Sequence, residues 1–425
     1  MIENSPRRIA AEILIDVTDR GRTTDDAIVL SKKLKNLESS DRAFVRAMLG
    51  ATLRDRGRID HTLQQFLDRP ISVASAPARA LLRLGAAQSW VLNTPDHAVV
   101  SEMVDVAKSW EVSRNSGRFL NAVLRKVVEA KELFESAPIE YNWPEWLWED
   151  LKSGLGHARA VRLLGAQRSQ PQLHLTPSKI SADELATLVG GQPIGLGSVE
   201  LNTQNVEQIP GYNDGVWWVQ DAAAALPAKL LDPRPGQRVA DLCAAPGGKT
   251  MQLAAAEASV TAIDRSRPRL RRLKDNLKRV GFDHVDVIEA DAEKWVPDRL
   301  YDHILLDAPC SALGTLRRHP EGAWIKSAED IARFPEVQKR LLHAALEQVK
   351  PGGAVLYCVC SPRPQEGRDV VSDVLAKSDA KRNDFQTEEV GPFAECVTMD
   401  GDLLTIPTPG FEHDAFFISR LIRRA

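Results

Sequence analysis

The sequence predicts a multidomain chain of mixed class: an all-α bundle, then a small α+β connector, then an α/β domain built on a parallel sheet. Three observations predict it. Over the first ~135 residues the apolar positions recur every three or four, the period of an amphipathic helix. From residue 216 onward, short β-rich runs alternate with helical stretches, the pattern of a parallel sheet covered on both faces. Between them lies a stretch richer in Gly, Pro and Gln. At 425 residues a single core is a poor expectation. The boundaries fall at 1–137, 138–215 and 216–425.

In the first domain RIAAEILIDVTDRG, SSDRAFVRAMLGATLRDRGRIDHTLQQFL, APARALLRLGAAQSWVL, PDHAVVSEMVDVAKSW and RFLNAVLRKVVEAKELF are helices. Gly57, Pro70, Pro77, Pro95 and Gly117 punctuate them. Nothing in this bundle suggests catalysis, and His61 and His97 read as structural. Composition shifts at YNWPEWLWEDL (141–151), where three tryptophans crowd around Pro144. In the third domain RVADLCA, SVTAID, VDVIEAD, YDHILLDAP and GAVLYCVCS are strands. Between two of them, residues 265–279 hold eight Arg or Lys against the single acid Asp275, while Leu270, Leu273, Leu277 and Val280 make one apolar stripe. That segment is an amphipathic helix with a basic outer face.

Hydrophobic content of 43% and charged content of 27% are those of an ordinary soluble protein. No apolar run approaches the roughly 20 residues that span a bilayer. The opening MIENSPRRIAAEIL lacks the apolar core of a signal peptide, so the plain expectation is a cytoplasmic protein without a membrane partner. A net charge of −3 makes the whole molecule no obvious nucleic-acid binder, but a local basic patch is what counts. Five cysteines, an odd number, argue against a disulfide framework. Cys358-x-Cys360 is not a zinc half-site of the usual spacing and has no second pair, so no metal is expected.

Ligands of parallel sheets bind at the carboxyl ends of the strands. The first strand runs into DLCAAPGGKT, which resembles half of a phosphate loop; the first glycine of that motif would stand at 243, and 243 is Cys. No G-x-G-x-x-G follows either. Instead Pro246-Gly247-Gly248-Lys249 is followed sixteen residues after Gly248 by Asp264, then by Asp291 and Asp307, each expected to close a strand. Glycine turn, acid, acid is the order expected for S-adenosylmethionine, the acid after the second strand accepting from ribose hydroxyls. The fourth and fifth strands each deliver a cysteine, Cys310 and Cys360, to the same sheet edge. Two thiols beside an acid suit methylation of cytosine carbon 5. A thiolate adding to carbon 6 makes carbon 5 an enamine nucleophile, an acid near N3 steadies the charge, and a base removes the carbon 5 proton. Cys243, Cys358 and Cys396 read as small core residues.

At these residues the chain closely resembles the RsmB (Sun, Fmu) family of bacterial 16S ribosomal RNA cytosine-5 methyltransferases. The motifs that carry the resemblance are DLCAAPGGKT, the strand end at Asp264, DAPCSALGTLRRHP, the long helix after Trp324, CVCSPRPQEG and the late DAFFISRLIRR. RIAAEIL, DRAFVRAMLGATLR and RFLNAVLRK are similar to a NusB-like RNA-binding domain. The resemblance implies a NusB-like bundle followed by a Rossmann-like methyltransferase domain. It implies Cys360 as nucleophile and Cys310 in product release, with Asp307 beside them. For the cofactor site it implies Cys243, Ala244, Ala245, Pro246, Gly247, Gly248 and Lys249, with Asp264, Arg269, Asp291 and Asp307. Arg317 and Arg318 are placed on the RNA side. The implied enzyme is a cytoplasmic monomer that uses S-adenosylmethionine and methylates one cytosine, resembling the enzyme for cytosine 967, in naked or partly assembled 16S rRNA.

Two positions depart from the family pattern: Val359 replaces the usual Thr before the nucleophile, and Thr176 stands where an arginine is usual. The same chemistry on tRNA or another rRNA site is an alternative that the catalytic motifs leave open. A non-catalytic RNA-binding factor would need neither thiol nor Asp307. An N-methyltransferase would want an Asn/Asp-Pro-Pro-aromatic loop where Asp307-Ala308-Pro309-Cys310 stands.

Overall fold

The structure is a computed structural model that describes residues 4–203 and 206–425. The N-terminal 1–3, and 204–205 within the expected connector, lie outside the described residues. Contacts divide the chain into two compact units. The first holds the chain up to Ser153 together with Leu164–Ser169 and Leu316–Ala328; the second holds Gly154–Leu163, Gln170–Thr315 and Glu329–Ala425.

The first unit is helical. Ser5, Thr23 and Ser75 each cap a helix by accepting from a backbone N–H of its first turn, and a proline enters the first turn after Ser5 and Ser75. Helix Ala76–Trp90 is buried on every side at Leu81, Leu82, Leu84, Ala86 and Ala87, so it is the axis around which the others pack. A Cβ at Gly85 would stand 2.5 Å from Leu124, so the glycine lets helix Gly117–Val128 approach closely. The detour Leu316–Ala328 joins this core through Ile325. Buried Glu321 accepts from Thr24 N–H at 3.1 Å, and the Arg56 guanidinium lies 4.5 Å from the Trp324 ring centroid.

The second unit holds two sheets. In the smaller one β1 (Leu173–Pro177), β2 (Gln192–Ile194), β3 (Ser198–Leu201) and β4 (Trp217–Val219) run in the order β2-β3-β1-β4, all antiparallel. Helix Ala182–Val189 accompanies it, with a Ser181/Glu184 capping box and Gly190 in the left-handed region at its end. The larger sheet contains β5 (Arg238–Leu242), β6 (Ser259–Asp264), β7 (Asp286–Glu289), β8 (Tyr301–Asp307), β9 (Val349–Val359), β10 (Ala380–Arg382), β11 (Leu403–Leu404) and β12 (Phe417–Arg423). Its order is β10-β12-β9-β8-β5-β6-β7, with β11 on β12; β5 to β9 are parallel, while β10, β11 and β12 are antiparallel.

Successive residues of the central strands enter opposite cores. Leu305, Leu356 and Cys358 face one, while Ile304, Leu306, Val355, Tyr357 and Val359 face the other. From β5 the chain winds outward through β6 and β7, then returns to β8 on the other side of β5. The β5/β8 junction is therefore the switch point, where a doubly wound sheet opens its ligand crevice.

Candidate active site

At the end of β5 the backbone turns sharply. Cys243 takes φ +61° and Gly247 φ +105°, and the second of these is glycine territory. The turn leads into helix Gly248–Ala255. It is clamped by the basic helix Arg267–Val280, which buries its Leu270, Leu273, Leu277 and Val280 stripe. Arg269 donates to the Ala245 carbonyl and pairs with Asp264 at 3.4 Å, while Asn276 donates to the Pro246 carbonyl at 2.9 Å. A Cβ at Gly247 would stand 3.1 Å from Leu273. Asp264 closes β6 and accepts from Ala245 N–H at 3.2 Å and from Ser266 N–H at 2.9 Å, one on each oxygen.

The third acid differs from expectation. β7 stops at Glu289, because its ladder partner β6 ends opposite it at Asp264. Asp291 lies two residues farther on, exposed, accepting from Glu293 N–H at 3.2 Å as the cap of a turn.

Asp307 does close β8. Its carboxylate accepts from Lys249 Nζ at 2.8 Å and from the Cys358 thiol at 3.6 Å. Burial works against the Lys249 charge, but Asp307 together with Cys358 and Asp241 outweighs it, so the ammonium is held above its ordinary range. Asp241, fully buried in β5, is pushed up to about 7 by burial, although Thr250 Oγ1 donates to it at 2.6 Å. Its other oxygen has no hydrogen-bond partner among the described residues.

The two expected thiols meet. Cys310 Sγ and Cys360 Sγ are 3.3 Å apart. Gly314 N–H donates to the Cys360 carbonyl at 3.0 Å, and Ala415 N–H donates to the Gly314 carbonyl at 2.9 Å. The contact with Cys360, then burial, pushes the Cys310 thiol well above its ordinary value. Burial followed by neighbouring acids pushes Cys243 up to about 12 and Cys358 well above its range, so both stay neutral. Burial also raises Cys396. The expected RNA-facing pair divides: Arg318 is exposed, whereas Arg317 is buried within the helical unit.

Sequence reasoning missed Asn276, Asp241 and, most of all, Glu366. Glu366 is fully buried and accepts from Ser311 N–H at 2.7 Å, from Ser361 Oγ at 2.9 Å and from Gln338 Nε2 at 3.2 Å. In the sequence it stands as the acid of CVCSPRPQEG, and a serine follows each of the two cysteines.

A crevice at the switch point with a glycine turn on one strand and an acid on the next is that of S-adenosylmethionine-dependent methyltransferases. The residues fit that donor: Gly247 and Gly248 put no side chain in the turn, and the Asp264 oxygen that accepts from Ser266 N–H keeps a lone pair, while the other faces Ala245 N–H and Arg269. Residues 228–422 match the family described as 16S rRNA methyltransferase RsmB/F, and residues 4–129 match the NusB family. The Ribosomal RNA small subunit methyltransferase B of Yersinia pseudotuberculosis is 32% identical over 437 residues, covering 98% of each chain. The crystal structure of PH0851 shares the fold with a TM-score of 0.80 at 24% identity, over 98% of each chain. That of NSun6 from Pyrococcus horikoshii with SFG matches 66% of this chain and 98% of its own with a TM-score of 0.58 at 19% identity. The chain belongs to the RsmB/F family of 16S rRNA methyltransferases, enzymes that methylate small-subunit ribosomal RNA with S-adenosylmethionine.

Proposed function

We propose that this chain methylates carbon 5 of one cytosine of 16S rRNA through a covalent bond between Cys360 and carbon 6. One observation carries the reading: the Cys310 and Cys360 sulfurs lie 3.3 Å apart, just past the carboxyl ends of β8 and β9. S-adenosylmethionine, held by residues 243–249 with Asp264, Arg269 and Asp291, supplies an electrophilic methyl group when bound; the SFG of the NSun6 structure supports that ligand class.

Cys360 passes its proton by way of Asp307 to N3 and bonds through sulfur to carbon 6, the ring electrons moving toward N3, so that carbon 5 becomes nucleophilic. Asp307 steadies charge at N3, and the Lys249 ammonium, 2.8 Å away, keeps a proton within its reach. At rest Cys310 keeps its proton chiefly because of its contact with Cys360. Once Cys360 is bonded to carbon and carbon 5 carries the methyl group, that restraint is gone and Cys310 can lose its proton to solvent. Its thiolate then takes the carbon 5 proton, the electron pair re-forms the ring double bond, and the S–C6 bond breaks with its electrons returning to Cys360.

The target is the cytosine corresponding to position 967, methylated by a cytoplasmic monomer on naked or partly assembled 16S rRNA. The test is a covalent trap. With S-adenosylmethionine and unmodified 16S rRNA, Cys310→Ala accumulates a protein–RNA adduct on denaturing gels, and Cys360→Ala forms none. An adduct only with Cys360→Ala exchanges the two roles. If neither variant traps RNA and both still methylate, the thiol mechanism is wrong. Unmodified tRNA run alongside decides between substrates.

A further inference from the structure

The two sulfurs lie on separate turns, one after β8 and one after β9, and neither turn alone fixes their separation. Besides the Gly314 N–H to Cys360 carbonyl bond, what joins them is a carboxylate six residues beyond Cys360. Ser311 and Ser361, each following a cysteine, both reach Glu366: Ser311 through its N–H at 2.7 Å and its hydroxyl, Ser361 through its hydroxyl at 2.9 Å. The two hydroxyls also touch one another at 3.0 Å. Gln338 at 3.2 Å and Arg363 at 3.3 Å complete the shell. The backbone is held as well, since Tyr357 OH donates to the Glu366 carbonyl. Glu366, Ser311 and Ser361 have no accessible surface, so this carboxylate has no route to substrate and acts through its neighbours.

We infer that Glu366 is a positioning residue that locks the Cys310 turn to the Cys360 turn and so sets the distance between the two thiols. Its use in catalysis rests on the thiol reading above; the locking itself does not. A carboxylate suits the place because donors that cannot accept fall on both of its oxygens, Ser311 N–H and the Gln338 NH2 group on one and the Arg363 guanidinium on the other. An amide of the same shape would turn an NH2 group toward Ser311 N–H or toward the Arg363 guanidinium. A second consequence is electrostatic: the Glu366 charge is one of the influences that keep Cys310 protonated.

The test is Glu366→Gln in the full chain, with Ser311→Ala and Ser361→Ala as milder variants that each loosen one side. Three quantities are read. The first needs no RNA: the rate at which the short thiol-bridging reagent dibromobimane links Cys310 and Cys360. The others are kcat with the dissociation constant of S-adenosylmethionine, and the pH dependence of Cys310 alkylation in a Cys360→Ala background.

Folded Glu366→Gln is expected to lose about 10²-fold in kcat, as for a misplacement of about 1 Å. Bridging slows in parallel, S-adenosylmethionine affinity stays within about twofold, and Cys310 alkylation moves to lower pH. If Glu366→Gln does not fold, slowed bridging in either serine variant supports the proposal. Wild-type bridging and kcat in a folded Glu366→Gln, or wild-type bridging in both serine variants, overturn it. Failure of the thiol reading is seen separately, as methyl transfer surviving in Cys360→Ala while bridging in the Glu366 variants still falls.

Discussion

Asp241 is a carboxyl group placed where ionisation is costly. Buried in β5 with one oxygen unpartnered among the described residues, it is pushed up to about 7 by burial. The unfolded chain ionises it in the ordinary carboxylate range. Between those two values the native state binds more protons than the unfolded state, so stability falls as pH rises, and the full cost is present above pH 7. Asp241→Asn keeps an acceptor for Thr250 and removes the charge. It is expected to raise stability at pH 8 by on the order of a few kcal/mol, with the gain shrinking toward pH 5. Thermal melts at the two pH values check this, and a difference independent of pH would refute it. None of this is legible in sequence, where Asp241 is simply the polar residue of an apolar strand.

At the scale of elements, the runs of apolar residues located the parallel strands because the central ones are buried on both faces and read as nearly continuous apolar stretches. The basic helix was legible for the opposite reason, having one apolar stripe and a charged remainder. The end of β7 was not. A strand stops where its neighbour stops pairing, and Asp264 ends that ladder two residues before Asp291. The Glu366 lock was equally invisible, since it joins turns far apart in sequence. Glycine marks one such join. A Cβ at Gly314 would stand 1.9 Å from the Ala415 carbonyl oxygen, so Gly314→Ala must push apart the turn that carries Cys310 and the segment leading into β12. A destabilisation of about 1–3 kcal/mol is expected in urea melts. The accompanying loss of methyl transfer should exceed any loss of S-adenosylmethionine affinity, because the cofactor turn lies on β5.

For the whole molecule, a net charge of −3 conceals one strongly basic element. Arg265, Arg267, Arg271, Arg272, Lys274 and Lys278 are exposed along the basic helix and its approach, and Arg318 is exposed on the other unit. RNA affinity should therefore fall steeply with salt. Replacing Arg271, Arg272 or Arg318 by Ala is expected to lower the slope of log affinity against log salt by about 0.7 for each phosphate left without its cation. Filter binding at several salt concentrations decides this, and a slope unchanged by all three substitutions would rule the basic surface out as a phosphate-binding face. The division of the chain has a different kind of consequence. Residues 316–328 belong to the helical unit, whereas Thr315 and Glu329 on either side belong to the sheet unit. No single cut therefore separates the two. A fragment beginning at residue 216 would keep Glu321, Trp324 and Ile325 while discarding Thr24, Arg56 and the helical core they pack on. The methyltransferase part is thus not a transplantable cassette, and any exchange of the N-terminal part, by evolution or by hand, has to bring matching residues for this detour.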